Sequence, residues 1–357
     1  MHSKAMRKYY IDNIRVFCIL LLFPFHTAMI FNNYGEAFYI LGKPNFPASL
    51  FTVIVYPWWM TLLFVIAGMS SYYALTHRTT GEFVKERVNK LLIPLLVGIV
   101  TIVPIQTYIA DVFHNGYKGN FFEHYSVFFT KVSDLTGYDG GLTPAHLWFM
   151  LYLFIVSMLM VPVMKKYVNR TKKSSFDKMN YIMIFLLFII VLIFTPILDV
   201  GKSVGEAFAC FAIGFFIFSS DAIQERLKKN VWVSGILALV FLGIRVYMWI
   251  CGKGHGLFWD IEHRMYSWSG ILFWLGLGKK YFDGSNKRMA YLSKAAFPLY
   301  YFHQTILVVL GYFVLKYIDV MWAQYVIICI GTFLLTLLCY EIFRRNKVTA
   351  KLFGIKR

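Results

Sequence analysis

The sequence predicts an all-α integral membrane protein with about ten transmembrane helices and both termini in the cytoplasm. Hydrophobic residues make up 59% of the 357 residues, and 35 residues are phenylalanine, which is more apolar surface than a soluble domain of this size needs. Apolar runs long enough to cross about 30 Å of hydrocarbon recur along the whole chain. Basic residues concentrate in every second loop between these runs, which is typical of a multi-pass protein.

The apolar runs define the predicted spans. In chain order they are 14–31, 50–75, 91–110, 146–164, 181–198, 204–219, 231–251, 264–278, 295–318 and 322–343. We find no repeat of fixed period and no low-complexity tract. Residues 1–357 are therefore expected to form a single transmembrane domain, with spans covering about 14–343 and no separate soluble domain.

The formal net charge of +18 follows from this topology. Of the 36 lysines and arginines, 27 lie in six alternate segments: 1–13, 76–90, 165–180, 220–230, 279–294 and 344–357. The intervening loops, counted together with Arg264 at the edge of a span, hold six. Because cytoplasmic loops carry the excess of basic residues, the pattern places both termini in the cytoplasm. It also favours attraction to anionic lipid over a nucleic-acid partner, so the expected surroundings are the bilayer of a cell membrane.

The most informative polar residues lie in the first apolar segment, where ten residues separate Arg15 from His26. Eleven helical steps return to within about 20° of the same face and rise about 16 Å, so the two side chains are predicted to share one stripe. Pro24 cannot donate to the carbonyl of Leu20, which opens the helix just before the histidine. Asp12 is placed to cap the first turn or to pair with Arg15.

Polar side chains at mid-membrane are costly and usually serve a function. A neutral imidazole in a membrane cavity suits general-base catalysis, and the alternative for His26 is a core histidine that donates to a neighbouring helix. Arg15 is either a snorkelling interfacial residue or, on the same stripe, a group that binds phosphate and orients an incoming donor.

Two further sets of polar residues are candidates. His146 and Trp148 begin a span on the predicted outer side, where a polar and aromatic rim suits a sugar; the alternative is an ordinary interfacial pair. His303, after Tyr300, lies about eight residues into its span from the cytoplasm. It is predicted either to line a donor channel or to bond between helices.

Glu206 and Arg245 are ionisable residues in the outer halves of two spans. Each would be costly alone, so we predict that they form an ion pair. The histidines are scattered without metal-ligand spacing, and no bound metal is expected.

Several segments resemble the acyltransferase-3 family of integral-membrane O-acyltransferases, and within it most closely the glucan-biosynthesis succinyltransferases. The Arg15-to-His26 spacing is the hallmark of that family. The segments that carry the resemblance are RKYYIDNIRVFCILLLFPFHTAMIF (7–31), LLFVIAGMSSYYAL (62–75), FVKERVNKLLIPLL (83–96), HLWFMLYLF (146–154) and FPLYYFHQTILVV (297–309).

The resemblance implies transfer of an acyl group from a cytoplasmic donor, often acyl-CoA as co-substrate with no permanently bound cofactor, to a hydroxyl of a glycan or related acceptor. It implies that His26 is the catalytic base and Arg15 the donor-orienting residue. Arg87 and Lys90 match a basic pair of the family, whose second member here is lysine and cannot form arginine's bidentate fork with phosphate. Plain cytoplasmic charge is the alternative for both. The resemblance also favours a bacterial cell membrane.

Two other classes stay open at this point. A multi-pass transporter or flippase for a glycan or lipid-linked substrate also needs many helices, midplane polar residues and aromatic rims, although the matching half-repeats of many transporters are not evident. A non-catalytic membrane subunit that keeps only the family fold is the second. The sequence leaves homo-oligomerisation open as well.

Overall fold

A computed structural model describes residues 8–132, 134–135, 137–138, 140–170 and 175–355. Within these residues the secondary structure is helical, with two isolated β-bridges and no extended strand. The first nine α-helices are α1 (Tyr9–Leu20), α2 (Leu22–Ile30), α3 (Phe46–Leu75), α4 (Thr80–Arg87), α5 (Ile93–Thr101), α6 (Val103–Asn115), α7 (Phe121–Thr130), α8 (Trp148–Val168) and α9 (Tyr181–Leu186). The following ones are α10 (Phe188–Phe194), α11 (Val204–Ile213), α12 (Asp221–Lys229), α13 (Val231–Ile250), α14 (Leu257–Tyr281), α15 (Lys287–Tyr317), α16 (Met321–Phe343) and α17 (Lys347–Leu352).

Seven helical segments of the described chain are long and apolar enough to cross a membrane. They are Tyr9–Ile30, Phe46–Leu75, Thr80–Asn115, Ala145–Val168, Val231–Ile250, Lys287–Tyr317 and Met321–Phe343. An eighth is counted if Val204–Phe218 and Asp221–Lys229, which meet at a bend of 99°, form one span. The all-helical membrane fold is therefore confirmed, whereas the predicted count of ten spans is not.

The remaining two predicted spans fall on helices with less typical properties. Residues 181–198 fold as the short apolar helix Tyr181–Phe194. Residues 264–278 lie inside α14, which carries charged side chains near both of its ends and is not among the seven segments that are long and apolar enough to cross a membrane. The cytoplasmic position of the termini stays a prediction from the basic loops.

A break at Leu21 divides the first membrane segment into α1 and α2. Pro24 has no amide hydrogen for the carbonyl of Leu20, so the ladder of backbone hydrogen bonds is interrupted there. The hydroxyl of Tyr325 donates to the carbonyl of Pro24 at 3.0 Å and ties the broken turn to α16. The predicted opening of the helix before His26 is therefore present.

The central helix α3 crosses α11 at very short range. A Cβ atom on Gly68 would lie 2.1 Å from the carbonyl oxygen of Phe211, and one on Gly214 would lie 2.1 Å from that of Val65. Both contacts are with backbone, which cannot rotate away. Small residues at such crossings let membrane helices pack closely. The crossing holds α3 in the middle of the bundle, where its residues face both candidate sites described below.

We predict that Gly214→Ala destabilises the folded protein by about 1–3 kcal/mol, because the added methyl overpacks the crossing. Gly243→Ala is the matched control: Gly243 is also helical, and a Cβ there meets no atom within 4 Å. Thermal unfolding of the purified variants in detergent checks the difference. Equal midpoints for the two variants would contradict the close crossing.

Candidate active site

A cavity of about 490 Å³ opens among loops that the charge pattern assigns to the outer side. Four of these loops contribute to its lining. Their contributions are Tyr34, Glu36, Phe38 and Tyr39; Leu135, Tyr138 and Ala145; Lys202; and Gly254 with Trp259. The deep part of the lining includes His26, His146 and His303. One cavity therefore joins the predicted outer surface to the predicted catalytic histidine.

His26 and His303 are in direct contact within this cavity. The Nδ1 atom of His26 lies 3.1 Å from the Nε2 atom of His303, and the ring centroids are 5.0 Å apart. The other nitrogen of His303, Nδ1, lies 2.6 Å from the backbone carbonyl of Tyr300. His303 is fully buried, whereas His26 is partly exposed to the cavity. α2 and α15 thus present a histidine pair whose accessible member is His26.

His146 lies in the same cluster, with its ring 5.4 Å from that of His303. Its Nε2 atom donates to the carbonyl of Tyr301 at 2.9 Å, and its Nδ1 atom faces the amide nitrogen of Gln106 at 3.3 Å. The Tyr300 hydroxyl donates to the carbonyl of His146 at 2.7 Å. Ala145, just before it, has a φ of 48°, a left-handed conformation that is rare for residues with a Cβ atom. His146 is therefore fixed by both backbone and side chain.

These contacts change the predicted division of the site. His146 was expected on an outer rim with Trp148, and Tyr300 and His303 beside a donor channel nearer the cytoplasm. The structure brings all four residues to one cavity. The physical reason is the turn around Ala145, which directs His146 inward onto α15 while Trp148 stays on the wall of the cavity.

The upper walls of the cavity are aromatic. They include Tyr34, Tyr56, Tyr138, Trp148, Trp249 and Trp259. Lys202 lies among these rings, with its ammonium 3.3 Å from the hydroxyl of Tyr56. Burial lowers the pKa of Lys202, but the Tyr56 hydroxyl and the carboxylates of Glu36 and Asp199 outweigh it and raise the pKa. The walls therefore combine aromatic ring faces with the positive charge of Lys202, which stays protonated.

A second cluster lies around Arg15, away from the residues that line this cavity. The Nη1 atom of Arg15 donates to Asp12 at 2.8 Å, and its Nη2 atom donates to the hydroxyl of Ser70 at 2.8 Å. The Nη2 atom of Arg87 donates to the neighbouring Ser71 at 2.7 Å. Both serine hydroxyls donate in turn to carbonyls of their own helix, at 2.7 Å each. Adjacent serines on α3 therefore each bind one arginine, Arg15 of α1 and Arg87 of α4.

The expectation of one shared cavity for Arg15 and His26 is consequently wrong for the cavity described here. Contacts to Asp12 and Ser70 turn the guanidinium toward α3, while the break at Leu21 lets α2 direct His26 toward α15. The predicted pairing of Asp12 with Arg15 is confirmed.

Arg87 and Lys90 have different surroundings. Pro94 has no amide for the carbonyl of Lys90, and the chain between α4 and α5 widens into a π-helical turn at Val88–Leu92. The Nε atom of Arg87 is buried without a hydrogen-bond partner among the described residues. Lys90 is exposed and pairs with Glu86. Only Arg87 of the predicted basic pair therefore contributes to the serine-linked cluster.

The predicted ion pair between Glu206 and Arg245 is wrong. Arg245 pairs with Glu262 at 3.1 Å, both of them buried, and Glu206 pairs with Arg264. Both new partners come from the first turns of α14, where Glu262 lies in a predicted loop and Arg264 begins the predicted span 264–278. The principle behind the prediction holds for these two residues, since Glu206 and Arg245 each have a partner of opposite sign.

Several residues of the site are not among the candidates predicted from the sequence. Ser70 and Ser71 gave a weak signal, since two adjacent hydroxyls within an apolar run are unusual. Lys202 gave another, as the single basic residue of its short outer loop. Glu262 gave none, because it lies in a polar stretch. A smaller pocket of about 180 Å³ adjoins the cavity and is lined by Glu206, Arg264 and Lys202 among others.

Comparison with known proteins gives the class to which this membrane protein belongs, the membrane acyltransferases. The family model of acyltransferase-3, described as an acyltransferase domain, matches residues 8–341. The chain therefore belongs to the acyltransferase-3 family.

Two relatives are bacterial proteins of the same name. Glucans biosynthesis protein C of Escherichia coli O17:K52:H18 (strain UMN026 / ExPEC) is 23% identical over 381 residues, which cover 99% of this chain and 95% of that protein. The protein of the same name from Shigella dysenteriae serotype 1 (strain Sd197) is 24% identical over 382 residues, with the same coverage. No solved structure matches the chain.

We predict that Arg245 is coupled energetically to Glu262 and not to Glu206. In double-mutant cycles with methionine substitutions, the Arg245–Glu262 pair should show an interaction free energy of about 0.5–3 kcal/mol. The Arg245–Glu206 cycle should be additive within about 0.5 kcal/mol. Unfolding by SDS in mixed micelles gives the free energies. The Glu206–Arg264 cycle is the positive control, and strong coupling of Arg245 to Glu206 would refute the pairing.

Proposed function

We propose that this protein transfers an acyl group from acyl-CoA to a hydroxyl of a glycan or related envelope acceptor, with His26 as the general base. The observation that carries the proposal is the position of His26 in the histidine cluster. His26 is a partly exposed residue that lines a cavity opening on the predicted outer side. His303 and His146, by contrast, are buried and bonded.

The proposed step begins with an acceptor hydroxyl beside His26. His26 removes the hydroxyl proton as the oxygen attacks the thioester carbonyl carbon. The new carbon–oxygen bond forms, the carbon–sulfur bond breaks, and the thiolate of coenzyme A leaves. The protonated imidazole then returns its proton to the thiolate, which restores the neutral base. General-base catalysis of this kind contributes about 10²–10⁴-fold to the rate.

The cluster of Arg15 and Arg87 is proposed to bind the phosphates of the donor. The adjacent serines Ser70 and Ser71 each bind one guanidinium group, and the buried Nε atom of Arg87 is without a partner in the described structure. Guanidinium groups suit a phosphate, which accepts several charge-assisted hydrogen bonds. The basic loops that flank the cluster support a position toward the cytoplasm, where acyl-CoA is available.

The aromatic cavity is proposed to bind the acceptor. Ring faces such as those of Trp148 and Trp259 suit the apolar faces of a sugar, while Lys202 and Glu36 can bond to its hydroxyls. The similarity to relatives named glucans biosynthesis protein C supports a glycan. Membership of an acyltransferase family favours this chemistry over a transporter or flippase.

We predict that His26→Ala abolishes acyl transfer while folding is retained. His77→Ala, in an exposed turn, is the control and should transfer normally. Mass spectrometry of envelope glycans checks this, from cells that produce the wild type, either variant or no protein. Acyl groups should appear with the wild type and the control alone. Normal transfer by a folded His26→Ala protein would refute the assignment of His26 as the general base.

We predict that Arg15→Lys raises the KM for the donor about tenfold or more with little loss of stability, because lysine cannot bridge Asp12, Ser70 and a phosphate together. Arg78→Lys, an exposed arginine that pairs with Glu86, is the matched control. Initial rates with succinyl-CoA and acetyl-CoA are the measurement. An unchanged donor KM in a folded Arg15→Lys protein would argue against the donor site.

A further inference from the structure

The geometry points to a role for His303 that deepens the proposed function: it is a positioning residue that fixes the tautomer of His26. His303 holds the proton of His26 on Nδ1, so that Nε2 is the atom that accepts the proton of the substrate. The inference rests on His26 being the base. It replaces the donor-binding role that the sequence suggested for His303 with a role exerted through His26.

The argument starts from the carbonyl of Tyr300, which can only accept a hydrogen bond. It lies 2.6 Å from Nδ1 of His303, so the hydrogen between them belongs to Nδ1. Both atoms are in α15, one turn apart, on a helix of 31 residues. The carbonyl has a second lone pair for the backbone ladder, so this contact leaves the helix intact. A rigid backbone atom therefore determines which nitrogen of His303 is protonated.

The next step follows from burial. His303 is fully buried, and a charged ring without an opposite charge beside it is costly in such surroundings. In a neutral imidazole with its proton on Nδ1, the Nε2 atom is an acceptor. This Nε2 lies 3.1 Å from Nδ1 of His26, which must then be the donor. The lone pair that remains on the ring of His26 is on Nε2.

The orientation of the His26 ring is restricted as well. Phe38 stacks on it, with centroids 6.1 Å apart, and Trp59 approaches it edge-on at 5.9 Å. A half-turn of the ring would replace Nδ1 by a carbon atom and break the bond to His303. Because His26 is the partly exposed member of the pair, the arrangement keeps its lone pair available at the cavity.

His146 is not a competing base in this arrangement. Its Nε2 donates to the carbonyl of Tyr301, and its Nδ1 accepts from the amide of Gln106. Both ring nitrogens are therefore in use within the protein. Backbone carbonyls of two neighbouring residues of α15 thus each fix one histidine nitrogen. The carbonyl of Tyr300 fixes His303, and that of Tyr301 fixes His146.

The test compares His303→Gln with His303→Phe. The amide oxygen of glutamine can accept from Nδ1 of His26, whereas phenylalanine fills the space and accepts nothing. The matched control is His77→Phe in an exposed turn. The full-length protein is purified in detergent, and release of coenzyme A from succinyl-CoA is measured with glucan oligosaccharides as the acceptor probe. The second readout needs no substrate: nitrogen NMR of imidazole-labelled histidine reports which nitrogen of His26 is protonated.

We expect His303→Phe to lower kcat about 10- to 100-fold, which reaches only the lower end of the about 10²–10⁴-fold that general-base catalysis contributes, with both KM values within about twofold. His303→Gln should recover most of the loss. NMR should show His26 protonated on Nδ1 in the wild type and in His303→Gln, and a mixture of tautomers in His303→Phe. If His303 had only a structural role, its replacement would not change the tautomer of His26, and it would not lower kcat while both KM values stay unchanged.

The inference is overturned if Nε2 of His26 carries the proton in the wild type. It is also overturned if a folded His303→Phe protein keeps the wild-type kcat and tautomer, or if His303→Gln loses as much as His303→Phe. If His303→Phe does not fold, the wild-type and His303→Gln spectra decide. Failure of the proposed function can be distinguished from failure of this inference. Normal acyl transfer by His26→Ala would refute the assignment of His26 as the base, whereas the NMR result on the tautomer of His26 would still hold.

Discussion

The contact between His26 and His303 is the constraint on which the rest of the site depends. An imidazole within a membrane bundle is tolerated only when its polar atoms have partners, since hydrocarbon provides none. Here Nδ1 of His26 is bonded to Nε2 of His303. Nδ1 of His303 in turn donates to the backbone carbonyl of Tyr300 in α15. α15 also packs on α1, α2 and α6, so the position of the proposed base is tied to the framework of the bundle.

Irregular backbone accompanies three polar groups of the site, His26, Arg87 and His146. Pro24 breaks the helix two residues before His26, and the π-helical turn before Pro94 follows Arg87 directly. Ala145, with its left-handed backbone, precedes His146. Regular helices present side chains at fixed intervals of 100°, and a local break changes that angle. The breaks let side chains from distant parts of the sequence meet in one place.

The sequence was sufficient for the parts of this picture that local chemistry determines. Apolar runs located the helices, and Pro24 located the break beside His26. Pairing across helices was harder, because it depends on how helices rotate about their axes. Arg245 and Glu206 were correctly recognised as charges in need of partners, yet Glu262 and Arg264 proved to be those partners. The serine pair of α3 was missed for the same reason, since its arginines come from two other helices.

The separation between the arginine cluster and the histidine pair constrains the donor under the proposed function. Helical rise from residue 15 to residue 26 is roughly 16 Å, and the two groups face different neighbours. A phosphate held by Arg15 and Arg87 is therefore far from the carbonyl carbon that is attacked beside His26. Acyl phosphates, in which phosphate and carbonyl are directly bonded, cannot occupy both places at once. A donor with its phosphates at one end of a long, thin arm and its thioester at the other can occupy both places. Such an arm can pass between helices without a wide channel.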